Sequence, residues 1–112
     1  MRARAYIDGG CDAIMIHSKQ KSPDEVLNFM NKYNSSFPDR VPVIAVPTTY
    51  NSITEDELLD AGVDVCIYAN HLLRASYPAM MQTADSILQN RRSLEADNTI
   101  SPVRDILDLI EP

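Results

Sequence analysis

The chain has 112 residues, of which 45% are hydrophobic and 23% charged, and its formal net charge is −6 at pH 7. This composition is typical of a folded globular protein and excludes a disordered tail. The acidic balance argues against general binding to nucleic acids or anionic membranes, which needs a basic surface, and favours a cytoplasmic location. At this length the chain is one small domain or a piece of a larger one.

The order of elements is predicted to be one helix and then three strand–helix units. Residues 2–7 resemble the end of a helix that is closed by Gly9 and Gly10. Three short apolar runs follow, at residues 13–16, 43–46 and 65–69. None of them alternates with polar residues, which is typical of parallel strands covered on both faces. Helical segments after each run predict parallel strands joined by right-handed crossovers.

Two capping boxes predict where the helices after the first two strands begin. In the first, Ser22 is expected to be the N-cap residue, with the carboxylate of Glu25 reaching back to it. In the second, Thr54 and Glu57 have the same roles, and this helix is expected to stop at Gly62.

The last part of the chain is predicted to be helical with one linker. A helix is expected over residues 71–89, with a kink or a break at Pro78. The polar stretch 90–99 is the linker candidate, and a final helix after Pro102 has an apolar stripe of Val103, Ile106, Leu107 and Ile110. The predicted division is therefore residues 1–89 for the strand–helix units and 90–112 for a linker with a terminal helix.

The two cysteines, Cys11 and Cys66, lie beside apolar runs. We expect them to be reduced core residues, because free cysteine packs as a small hydrophobic side chain. They form no CxxC motif and have no histidine beside them, so they do not indicate a metal site.

Polar residues follow all three predicted strands, and the carboxyl ends of parallel strands form the functional face of such sheets. They are His17, Ser18 and Lys19 after the first strand, residues 47–50 after the second, and Asn70 and His71 after the third. Each has a structural interpretation as well. His17 could be a core histidine, His71 a residue of a first helical turn, Thr48 part of a turn, and Lys19 a solvated charge. Spacing alone predicts part of an α/β barrel or a doubly wound sheet with a polar, anion-tolerant edge.

The same segments resemble a known family. Residues 10–19 (GCDAIMIHSK), 42–50 (PVIAVPTTY) and 68–76 (YANHLLRAS) are similar, in the same order, to motifs of the phosphoenolpyruvate mutase family. The resemblance implies membership of the isocitrate lyase/phosphoenolpyruvate mutase superfamily and an α/β fold. A complete TIM (β/α)₈ barrel needs about 250 residues, so this chain would supply the last three βα units and the C-terminal helices.

The resemblance also implies a function and a set of site residues. The family interconverts phosphoenolpyruvate and phosphonopyruvate, both small-molecule substrates, with Mg²⁺. His17 matches its active-site histidine, and Ser18, Lys19, Thr48 and Asn70 are the expected substrate-binding residues. Thr49 stands where many mutases have lysine, so no role is assigned to it.

Other residues of the family's active site have no match in this chain. These are its nucleophilic aspartate, the acidic residues that bind Mg²⁺, and a phosphate-binding arginine. We therefore expect the metal ligands to belong to the full-length parent and the isolated chain to be inactive. The alternatives are a fragment of a phosphonopyruvate hydrolase, or a non-catalytic remnant that serves as an oligomerisation module. The resemblance further implies a homo-oligomer formed through the C-terminal helix of the barrel.

Overall fold

The computed structural model of the chain describes residues 2–110. The elements in chain order are α1 (Arg2–Asp8), β1 (Ile14–Ile16), α2 (Asp24–Ser36), β2 (Val43–Ala45), α3 (Glu55–Asp60), β3 (Val65–Cys66), α4 (His71–Asn90), a 3₁₀ turn (Leu94–Ala96) and α5 (Val103–Leu107). They form two compact units, the first ending at Ala69 and the second beginning at Asn70.

The first unit contains a three-stranded sheet in the order β1-β2-β3. Both strand pairs are parallel, with Ile14 opposite Val43 and Ile44 opposite Val65. The predicted parallel order of strands is confirmed, although each strand is shorter than its apolar run. The residues beyond the strands still add single bonds: the amide of Ile67 donates to the carbonyl of Ala45 at 2.9 Å.

The hydrophobic core of the first unit is formed by α2 and the sheet. Helix α2 buries Val26, Met30 and Tyr33, which helical spacing places on one face. Further core residues are Ala3, Ile14, Phe37, Val43, Ala45, Tyr50, Leu58 and Val63. Both cysteines are free and pack against this core, as predicted.

A hydrogen-bond network ties the loops at the amino ends of β2 and β3. The guanidinium of Arg40 donates to Oδ2 of Asp64 at 2.5 Å and to the carbonyl of Gly62 at 2.8 Å. The same Asp64 oxygen accepts the amide of Val43 at 2.8 Å. Asp64 is therefore a structural carboxylate at the end of the sheet opposite to the predicted functional face.

The second capping box is confirmed at the start of α3. The amide of Glu57 donates to Oγ1 of Thr54 at 3.2 Å, and the amide of Thr54 donates to Oε2 of Glu57 at 2.8 Å. These bonds to Thr54 lower the pKa of the Glu57 carboxyl. The helix ends at Asp60, and Gly62 follows with a φ of +93°, where a residue without Cβ is favoured.

The first capping box is wrong. Pro23 occupies the N-cap position of α2, without a side-chain capping bond. The Ser22 hydroxyl accepts the amide of Asp24 at 3.3 Å, and the Glu25 carboxylate accepts the hydroxyl of Ser18 instead of reaching back to Ser22. A contact across the preceding loop has replaced the local one.

The second unit is mostly helical. Helix α4 runs without a break through Pro78 over 20 residues, so of the predicted kink or break the break is wrong and the kink stays a prediction. Proline removes one N–H donor, and a helix of this length retains its other bonds. The 3₁₀ turn lies within the predicted linker and buries Ala96.

The helices of the second unit leave apolar side chains exposed. No residue of α4 or of α5 is buried, and the predicted stripe of the last helix is exposed at all four positions. Between residues 2 and 110, the helices are too short or too polar to cross a membrane.

Candidate functional site

The loop after β1 presents two predicted site residues to solvent and buries the one between them. His17 and Lys19 are exposed, whereas Ser18 is only 3% exposed. The Ser18 hydroxyl donates to Oε2 of Glu25 and accepts the amide of Gln20 at 3.0 Å. Ser18 is thus engaged inside the loop, while His17 and Lys19 are available to a ligand.

The loop after β2 lies beside the loop after β1, because Ile16 pairs with Ala45 at the last position of both strands. Pro47 is buried and Thr48 is half-buried, with the Thr48 amide donating to the carbonyl of Val46 at 2.8 Å. We call residues 17–19 and 47–50 the rim. The strand register starts the loop that carries His17, Ser18 and Lys19 beside the loop that carries Thr48, as expected for parallel strands.

Tyr50 is a rim residue that the sequence did not single out. Its ring lies 6.3 Å from the ring of His17, at an interplanar angle of 49°. The residue is fully buried, and its hydroxyl finds no hydrogen-bond partner within residues 2–110. Burial raises the pKa of the Tyr50 phenol, the backbone of Val46 opposes this shift, and the nearby Cys66 adds to it. The only sequence signal for Tyr50 was its place at the end of the loop after β2.

Asn70 is the first residue of the second unit, so its predicted grouping with His17 stays a prediction. It occupies the N-cap position of α4, and its carbonyl accepts the amide of Arg74 at 2.9 Å. Its side-chain Oδ1 is buried and has no partner within the described range. A buried acceptor of this kind can receive a hydrogen bond from a ligand or from an added segment of protein. His71 follows as the first residue of α4.

An open cleft of about 420 Å³ lies beside β1, an edge strand of the sheet. Three charged or polar residues line it, Arg2, His17 and Glu25, together with apolar side chains that include Met15 and Phe29. We call it the β1 cleft. It combines the donors of Arg2 and His17 and the carboxylate of Glu25 with an apolar wall along an open strand edge.

The described part of the chain does not provide a metal site. No group of three or more histidine, cysteine, aspartate or glutamate residues within residues 2–110 is arranged to hold a metal ion. The rim offers two hydrogen-bond donors, His17 and Lys19, which can offset negative charge on a bound oxygen. It does not supply the cluster of oxygen ligands that Mg²⁺ prefers.

The chain that carries the rim is similar to known proteins. A family model described as phosphoenolpyruvate phosphomutase matches residues 1–88. The chain is 33% identical to a phosphoenolpyruvate phosphomutase from Streptomyces hygroscopicus, over 98% of the chain and 34% of that relative.

Two solved structures are similar as well. A phosphoenolpyruvate phosphomutase from Streptomyces platensis subsp. rosaceus superposes with a TM-score of 0.85 at 41% identity, over 96% of this chain and 36% of that one. A phosphonopyruvate hydrolase in complex with oxalate and Mg²⁺ superposes with a TM-score of 0.81 at 38% identity, over 96% and 37% of the two chains. The chain therefore spans about a third of the length of the relatives that it matches.

Proposed function

The chain belongs to the phosphoenolpyruvate phosphomutase family, within the isocitrate lyase/phosphoenolpyruvate mutase superfamily, and from this we propose that it is the C-terminal part of a TIM-barrel enzyme that interconverts phosphoenolpyruvate and phosphonopyruvate. The observation that carries the proposal is the position of His17. It is an exposed imidazole directly after β1, in a segment within the family match. Strand-end residues of this kind act on substrate in α/β barrels.

The open edges of the sheet support the proposal of a partial barrel. Met15 on the edge strand β1 is 60% exposed, and Val65 on the opposite edge strand β3 is 45% exposed. Parallel strands are normally covered on both faces, and closure into a barrel removes the edges altogether. Further strands from the rest of a barrel would pair with these two edges and cover both side chains.

The reaction needs groups that offset negative charge on the substrate, and the rim residues can supply some of them. Conversion of phosphonopyruvate breaks its P–C bond and transfers the phosphoryl group to the enol oxygen of the pyruvate unit. Negative charge on the phosphoryl and carboxylate oxygens must be offset throughout. In our proposal the imidazole of His17 and the ammonium of Lys19 donate hydrogen bonds to these oxygens, and Thr48 and Asn70 add neutral donors. The engaged hydroxyl of Ser18 makes it the weakest of the proposed substrate contacts.

We propose that Mg²⁺ is held by residues outside this chain. The related hydrolase structure contains Mg²⁺ with oxalate, whereas the described residues of this chain do not form a matching ligand cluster. When bound, such a metal would polarise substrate oxygens as a Lewis acid. The contribution of this chain would then be to bind and orient the substrate along one wall of the pocket.

A chimeric enzyme tests the proposal. This chain would replace the segment that it matches in the Streptomyces platensis relative, and the product would be incubated with phosphonopyruvate and Mg²⁺. Phosphorus NMR would show phosphoenolpyruvate if the chain supports mutase chemistry. Loss of all turnover in a folded chimera, with the parental relative active in parallel, would contradict the proposal.

The second candidate is phosphonopyruvate hydrolysis, in which water takes the phosphoryl group. It is favoured by the nearly equal similarity to the two structures, 41% identity for the phosphomutase and 38% for the hydrolase. The same phosphorus spectrum separates the two, because hydrolysis yields inorganic phosphate and pyruvate instead of phosphoenolpyruvate.

We further propose that helix α4 takes part in forming a homo-oligomer. None of its 20 residues is buried. Large apolar side chains are exposed along it, namely Leu72, Leu73, Tyr77, Met80, Met81, Ile87 and Leu88. An apolar helix surface of this kind is typical of protein–protein contact.

A further inference from the structure

The contact between Ser18 and Glu25 joins the rim to helix α2. Ser18 is buried, although its two neighbours in the chain, His17 and Lys19, are exposed. Its hydroxyl donates to the carboxylate of Glu25, in the first turn of α2, and accepts the amide of Gln20 at 3.0 Å. One serine oxygen thus closes the backbone turn after β1 and fastens that turn to a helix.

Glu25 is available for this contact because it takes no part in capping its own helix. The capping box with Ser22 is not formed, and the α2 N-cap has no side-chain bond. Asp24, the neighbouring acid, accepts the Ser22 hydroxyl at 2.5 Å instead. The two first-turn acids of α2 therefore have separate roles: Asp24 binds locally, and Glu25 binds across the loop that carries His17.

We propose that Glu25 is a positioning residue, which holds the turn after β1 through Ser18 and so fixes the directions of His17 and Lys19. The proposal rests on the proposed function, in which those two side chains meet the substrate. A hydrogen bond to a carboxylate is stronger than one between neutral groups, and Ser18 is shielded from water, so the contact restrains the loop effectively.

The restraint matters because a misplaced donor contributes little to catalysis. A displacement of about 1 Å in a positioned group can lower the rate by on the order of 10²-fold. The segment between β1 and α2 has no regular structure over residues 17–22. Without the bond to Glu25, this segment would be held in place only by β1 and α2 at its two ends. Glu25 also lines the β1 cleft beside His17, so the positioning group and the imidazole share one wall.

Three variants of the full 112-residue chain test the proposal by NMR. Glu25→Ala removes the acceptor, Glu25→Gln keeps a carbonyl oxygen that can still accept from Ser18, and Asp24→Ala removes a matched charge from the same helical turn. The first readout is hydrogen exchange of the Gln20 amide. The second is the imidazole signal of His17. The chain has two histidines, so the signal of His71 serves as an internal control.

We expect exchange at Gln20 to be about tenfold faster or more in Glu25→Ala, since the part-buried bond between Ser18 and a charged group is lost. The His17 signal should shift or broaden while the His71 signal stays unchanged. Glu25→Gln should restore both readouts to within about threefold of the unsubstituted chain, and Asp24→Ala should leave them unaltered.

Unchanged exchange at Gln20 in Glu25→Ala, or an equal increase in Asp24→Ala, would overturn the proposal. Failure of Glu25→Gln to restore the His17 signal would do the same, because helix charge and not the hydrogen bond would then be responsible. These readouts require no turnover. If the proposed function is wrong, the phosphorus spectrum of the chimera will show it. If the positioning role is wrong, the hydrogen exchange rate of the Gln20 amide will show it.

Discussion

Replacing Tyr50 with phenylalanine should stabilise the first unit or leave it unchanged. Tyr50 is fully buried, and its hydroxyl has no hydrogen-bond partner within residues 2–110. Burial of an unsatisfied hydroxyl costs about 1–3 kcal/mol. Phenylalanine keeps the ring and its packing, so the change removes that cost while creating no cavity.

The gain is limited because the backbone of Val46 lies near the phenol oxygen and satisfies it in part, although it does not meet hydrogen-bond geometry. We therefore expect about 1 kcal/mol, equivalent to a rise of roughly 4 °C in the melting temperature for a domain of this size. Tyr33→Phe is the matched control, because Tyr33 is also fully buried but its hydroxyl donates to the carbonyl of Val41 and accepts its amide, both at 3.0 Å. That variant should lose about 1–2 kcal/mol, since it leaves both Val41 groups without their partner.

The pH dependence of stability provides a second test of Tyr50. Its pKa is raised in the folded state, so the folded chain holds the phenolic proton more tightly than the unfolded chain does. The resulting stabilisation is fully present below the ordinary tyrosine pKa of about 10 and is lost as the pH rises through the folded-state value. Tyr50→Phe should lack this part of the alkaline loss. Urea unfolding followed by circular dichroism, at equal protein concentration and at several pH values from 7 to 11, measures both effects. A loss of stability as large as that of Tyr33→Phe would refute the reasoning.

Three further predictions concern stability, association and activity. Arg40→Ala should destabilise the chain by about 1–2 kcal/mol in urea unfolding, because it leaves the carbonyl of Gly62 without its donor and removes the cation paired with Asp64, which keeps the amide of Val43. Arg4→Ala, which breaks exposed pairs with Asp8 and Asp39, should cost less than Arg40→Ala, and equal losses would contradict this assignment. Light scattering should show association that increases with concentration, whereas a single 12.5 kDa species at every concentration would count against the open edges and α4 as contact surfaces. The isolated chain with Mg²⁺ should leave the phosphorus spectrum of phosphonopyruvate unchanged. Turnover above background in a pure sample would show that the chain contains a complete active site.

Much of the first unit could be predicted from local pattern. The three apolar runs became parallel strands in chain order because β-branched and apolar residues without alternation suit a covered sheet. Thr54 and Glu57 formed their capping box because both partners lie within one helical turn and no other group competes for them. The buried face of α2 followed from helical spacing.

Where prediction failed, longer-range contacts decided the outcome. Glu25 matched a capping pattern, yet the hydroxyl of Ser18, seven residues earlier, occupies its carboxylate. Pro78 indicated a kink or a break, but α4 continues without a break because the loss of one donor is small against the rest of a long helix. Such competition is invisible in a local pattern.

The candidate site was predictable in part. Strand ends identify His17, Lys19 and Thr48, because parallel strands place those ends at one edge. Tyr50 also follows a strand end, but a tyrosine in an apolar core and a tyrosine beside a site look alike in sequence, so no role could be assigned to it. Only the structure shows its buried hydroxyl and the neighbouring ring of His17.

Steady-state kinetics of His17→Ala in the chimeric enzyme decide whether His17 acts on substrate. We expect a kcat/KM lower by on the order of 10²-fold, typical of losing one positioned donor, with a melting temperature within about 2 °C because the side chain is exposed. His71→Ala, at the first position of α4, is the comparison variant and should reduce thermal stability as well as activity. Near-normal turnover in a folded His17→Ala chimera would show that His17 is a solvent-exposed residue without a part in the chemistry.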